Sequence, residues 1–92
     1  MASIKEELWF AKQAKAAIEV LTEPAIEVLR EAHRIAGTQP AFSDALRDAR
    51  HRVKRALLLV IIVFEQGQED QGDIDKAKSA IDTLIRELER NL

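Results

Sequence analysis

The sequence predicts an all-α domain: an antiparallel up-down four-helix bundle, or three long helices with the first kinked at Pro24. Three observations predict it. Apolar residues recur at 3,4 spacing along most of the chain, the pattern of helices that bury one stripe. Capping residues, glycines and prolines fall at the breaks between those stripes rather than inside them. The connections are short, so each helix runs antiparallel to the next. At 92 residues the chain builds one domain, spanning residues 1–92.

The first helix opens at Ser3 and Glu6, whose capping-box spacing satisfies reciprocal backbone donors. Ile4, Leu8, Ala11, Ile18 and Leu21 then recur at helical spacing, and Trp9 and Phe10 widen the apolar face. Thr22-Glu23-Pro24 reads as a second start, because Thr is a good N-cap and a first-turn Pro gives up no helical hydrogen bond. Ala25, Val28, Ala32 and Ile35 nevertheless continue the spacing of Ile18 and Leu21 across the proline, which is why a kinked continuous helix is the alternative. Gly37-Thr38-Gln39-Pro40 ends that stretch.

Ser43 and Asp44 supply an N-cap and a first-turn acid for the next helix. Leu46, Ala49, Val53, Ala56, Val60 and Val63 keep the rhythm as far as Gln66, predicting a helix of about 23 residues, or ~35 Å. Gly67 ends it. After a polar loop to Gly72, Asp73 is expected to cap the last helix, whose stripe is Ile74, Ala77, Ile81, Leu84, Leu88 and Leu92. The third helix differs from the others because Leu57 to Phe64 are apolar around its whole circumference. Such a segment is central in the bundle or meets a partner, and a homodimer is one way of covering it.

The net charge of −2 at pH 7 conceals a basic middle. Arg47, Arg50, Arg52, Lys54 and Arg55 stand there against Asp48. The acidic overall balance and the absence of aromatic base readers beside this block argue against a nucleic-acid partner. No basic region followed by an apolar run opens the chain, and its one continuous apolar stretch is far shorter than the ~20 residues a spanning helix needs. No membrane role is expected, and the expected compartment is the cytoplasm. With no cysteine and two histidines, a disulfide framework is excluded and no metal or cofactor is expected.

Phosphate-binding, dinucleotide, zinc-protease and serine-hydrolase motifs are missing. Carboxylate pairs such as Glu6-Glu7 and Glu87/Glu89 read as solvated charge on polar faces. His33 stands out by its surroundings. Gly37 lies one helical turn beyond it, so a bulky group could reach a ring nitrogen over a bare turn.

The segment Leu29-Arg30-Glu31-Ala32-His33-Arg34-Ile35-Ala36-Gly37-Thr38 resembles the phosphorylated-histidine segment of histidine-containing phosphotransfer domains. Their pattern is Ala-His-x-(Leu/Ile)-Lys-Gly, then small residues, an aromatic or leucine, and a glycine. Ala32, His33, Ile35 and Gly37 match it, Thr38 is a small polar residue, and Phe42 falls at the aromatic position. Ala36 stands where the family has a lysine, and Ser43 where a glycine is usual.

The resemblance implies a bundle whose His33 accepts a phosphoryl group and exchanges it with a response-regulator receiver domain or a histidine kinase. Gly37 would give clearance. With no lysine at position 36, the cation near the phosphoryl oxygens would be Arg30, Arg34 or Arg50, with Arg47 or His51 as further candidates. The alternative is a non-enzymatic scaffold or interaction module, natural or engineered. Trp9, Phe10, Leu58 and Ile62 would be its contact residues.

Overall fold

In the computed structural model, which describes residues 3–38, 43–68 and 70–92, four helices follow one another with no strand among those residues. Helix α1 (Ile4–Val20) starts where Ser3 Oγ accepts the Glu6 backbone N–H at 3.1 Å. It stops at Leu21, which turns left-handed at φ 47° and donates its N–H to the Ala17 carbonyl. A left-handed leucine costs roughly 1–2 kcal/mol. Packing of its partly buried side chain against the core offsets that cost. The Thr22 hydroxyl then accepts the Ala25 N–H at 3.4 Å, and α2 (Glu23–Thr38) begins with Pro24 in its first turn. The chain therefore breaks before Pro24 rather than kinking through it.

Helix α2 buries Ala25, Ile26, Leu29, Ala32, Ile35 and Ala36, leaving Val28 half-buried. It runs through Gly37 to Thr38, so Gly37 lies inside the last turn instead of ending it. The turn expected at Gln39-Pro40 and the aromatic position of Phe42 lie outside the described residues.

Helix α3 (Asp44–Glu65, 22 residues) is capped by Ser43, whose Oγ accepts the Leu46 N–H at 3.1 Å. Gly67 leaves it at φ 68°, a conformation that glycine adopts without strain. Helix α4 (Gln71–Arg90) is capped by Asp70 and not by Asp73, which sits in the first turn. Asp70 accepts the Gly72 N–H on its side chain and the Ile74 N–H on its carbonyl, bringing more backbone into the helix than a start at Asp73 allows. Leu92, expected on the core stripe, follows the helix end and is 65% exposed.

The helices form a ring in which α1 and α3 each pack against both α2 and α4. Ion pairs Lys15–Asp82 (2.7 Å) and Glu19–Lys78 (3.0 Å) show α1 and α4 running antiparallel. The Arg30–Glu65 pair and the approach of Lys54 to Gly37 do the same for α2 and α3. The resulting bundle measures 37 × 22 × 18 Å. Its centre is filled by Ile18, Ile26, Leu29, Leu46, Leu57, Ile81 and Leu88. Burial of each such side chain contributes about 1.5–3 kcal/mol.

One contact crosses the ring diagonally. Arg50 donates from Nε to Glu7 Oε2 at 2.8 Å and from Nη2 to Glu7 Oε1 at 2.6 Å, with both side chains buried. This corrects two sequence expectations, that Glu7 is solvated and that Arg50 is free to support a phosphoryl group. The spacing explains both. Glu7, Ala11, Ala14 and Ile18 share one face of α1, and Leu46, Arg50, Val53 and Leu57 share one face of α3, so each charge occupies a core position.

Candidate functional site

His33 sits one turn before the end of α2, half-buried, with the core residues Leu29, Ala32 and Ala36 on the same helix around it. Its pKa lies below the ordinary histidine value. Burial is the larger cause, and the positive charge of Lys54 is the second. Both make proton uptake costly and favour the neutral imidazole, which has a lone pair on one ring nitrogen.

Lys54 comes from the middle of α3. The antiparallel register of α2 and α3 lays its side chain across the last turn of α2. A Cβ built on Gly37 would lie 3.2 Å from both Lys54 Cε and Nζ. The bare turn that Gly37 was expected to leave open therefore receives the end of this lysine. The chain carries alanine at position 36, which is buried, and a lysine from another helix reaches the same neighbourhood. No ion pair holds Lys54 among the described residues.

The arginines expected near His33 are engaged elsewhere. Arg30 pairs with Glu65 and, at 3.4 Å, with Glu27. Arg34 pairs with Glu31, which lowers the Glu31 pKa and raises that of Arg34 through their hydrogen bonds. Arg47 pairs with Asp44 at 2.9 Å, and His51 is exposed. The Thr38 hydroxyl donates to the Ile35 carbonyl at 3.1 Å. Sequence reasoning passed over Lys54, although the signal was present. Position 54 lies three residues before the buried Leu57 and four after the buried Arg50, at the edge of the core stripe where a neighbouring helix packs.

Of the predicted contact residues, Phe10 lines a small cavity with Ala32, Ile35 and Ala36 of α2, close to this site, whereas Leu58 and Ile62 lie elsewhere. Trp9 is 55% exposed and meets the half-buried Phe10 edge-to-face, with ring centroids 4.8 Å apart. On α3, Leu57, Val60 and Ile61 enter the core, while Leu58, Leu59 and Ile62 stay exposed. Those three form part of the lining of a groove of about 690 Å³ between α3 and α4. Leu59 was not singled out from the sequence.

Among the described residues, no group of three or more histidines and carboxylates is placed to hold a metal ion. None of the helices is long and apolar enough to cross a membrane, again among the described residues. Comparison with protein-family models, curated proteins and solved structures returns no match to this chain.

Proposed function

We propose that this chain is a phosphorelay intermediate that accepts and donates a phosphoryl group on His33. The observation that carries the reading is the placement of Lys54, whose ammonium lies against the Gly37 turn and acts electrostatically on the imidazole. A neutral nitrogen nucleophile beside a cation is what attack on a phosphoryl group requires. The nitrogen lone pair forms the P–N bond while the P–O bond to an aspartyl carboxylate of the partner breaks, its electron pair leaving with that carboxylate. Lys54 is placed to meet the phosphoryl oxygens as their charge shifts. The donor in this step is the aspartyl phosphate of a response-regulator receiver domain, and any Mg²⁺ the reaction uses belongs to that partner.

The test is to incubate the chain with a panel of phosphorylated receiver domains and look for an acid-labile, alkali-stable label. His33→Gln removes the label with helicity unchanged, and His51→Gln retains it. Gly37→Leu displaces Lys54 and blocks transfer. Labelling of the His33→Gln variant, or a panel that never labels the wild type, overturns the proposal.

A second reading, a module that binds another protein without chemistry, is favoured by a separate observation. Leu58, Leu59 and Ile62 lie side by side on α3, each more than 40% exposed. Adjacent apolar side chains left in water on one helix are a common mark of a protein-binding face.

A further inference from the structure

The groove between α3 and α4 is lined by the exposed apolar side chains Leu58, Leu59 and Ile62 together with Arg52, Arg55 and Lys76, against the single acid Asp73. None of these four charges is held in an ion pair among the described residues. Elsewhere on the bundle Lys15, Arg30, Arg34, Arg47 and Lys78 are each paired with a carboxylate, while among the described residues Lys5, Lys12, Lys54 and Arg86 are not, so what marks the groove is three such cations lining one apolar surface. The lining thus has an unbalanced positive charge beside a surface that gains by leaving water.

We infer that this groove receives an acidic amphipathic helix from a partner protein, an inference that rests on the binding-module reading. Length and shape point to a helix. Arg52 to Ile62 cover about 15 Å of α3, or nearly three turns of a helix laid alongside, with apolar side chains three and four residues apart for its ridges. Charge points to acidic flanks, because Glu or Asp beside the apolar stripe would meet Arg52, Arg55 and Lys76. A second copy of this chain fits poorly, since a twofold contact through this groove brings two surfaces of the same net positive charge together. A membrane surface fits poorly too, because Asp73 shares the lining and would face the anionic headgroups that the cations attract.

The experiment uses two dye-labelled helical peptides of about 15 residues, enough for the groove at 1.5 Å per residue. They share one Leu/Ile stripe at i, i+3, i+4 and i+7, flanked by Glu in one and by Lys in the other. Anisotropy titrations of the full chain should give at least about tenfold tighter binding of the Glu peptide, a difference of ~1.4 kcal/mol. Added salt should shrink the gap. Arg52→Glu with Arg55→Glu should invert the preference, and Ile62→Asp should weaken both peptides while circular dichroism shows the fold intact.

Equal binding of the two peptides overturns the acidic partner and leaves the binding-module reading standing. Failure of both peptides sinks the two together. Sedimentation showing a dimer that Ile62→Asp dissociates makes a second copy the occupant, and pelleting with phosphatidylserine vesicles makes it a membrane. Either result overturns the inference.

Discussion

Burial and a neighbouring ammonium both oppose a proton on His33, and the consequence can be read in stability as well as in chemistry. Its folded pKa lies below the unfolded value of about 6.5, so between the two the unfolded chain binds more protons than the folded one. Stability should therefore hold above about pH 6.5 and fall as the pH drops below it, until the folded pKa is passed. Denaturant unfolding at several pH values should show this slope in the wild type and a shallower one in His33→Gln. Lys54→Met should have two effects. The His33 pKa, followed by NMR, rises, and phosphoryl transfer slows about tenfold or more, the size expected for loss of a charged hydrogen bond. An unchanged His33 titration would remove Lys54 from the site. His33 was legible in the sequence because its pattern is local, four matching residues within one turn and a half. Lys54 was not, because its proximity depends on the register of two helices seventeen residues apart along the chain at this point.

At the scale of the helices, caps and stripes were legible and core composition was less so. Ser3 and Ser43 cap as their spacing implied, and the stripes Leu8–Ala11–Ile18 and Ile74–Ala77–Ile81–Leu84–Leu88 are buried. Ser43→Ala should cost about 1 kcal/mol in chemical denaturation, the usual value of an N-cap oxygen. Glu7 and Arg50 were misread because charge was taken as a sign of exposure, whereas helical spacing already set both on core faces. Replacing either one alone, as in Glu7→Ala or Arg50→Ala, should cost about 3–5 kcal/mol, since the partner is left buried and uncompensated. Replacing both, by Glu7→Leu with Arg50→Met, should cost far less or even stabilise, because two desolvated charges disappear together. A double-mutant cycle in urea measures the difference, and equal losses for the single and double variants would show that the pair is not coupled.

For the molecule as a whole, the ring of four antiparallel helices followed from short connections, and the break at Leu21-Thr22 followed from the cap and proline after it. Which side of α3 would remain uncovered did not follow, because Leu57 to Phe64 carry no polar residue to mark the outside. Only docking against α2 and α4 decides that Leu57, Val60 and Ile61 turn inward. The alanine-lined face of α1, at Ala11, Ala14 and Ala17, raises a further problem. Small, nearly identical side chains make a smooth track, and a helix resting on one could slide by a full turn, about 5.4 Å, with little loss of apolar contact. The diagonal bond between Glu7 and Arg50 opposes this, beside the ion pairs of Lys15 and Glu19 to α4. A shift of one turn pulls the carboxylate off the guanidinium and strands both in the interior, so the pair acts as a latch between helices that are not even neighbours. Bundles carrying leucine and methionine in its place should keep their helix content, yet give broadened methyl signals by NMR as several registers come within reach of one another.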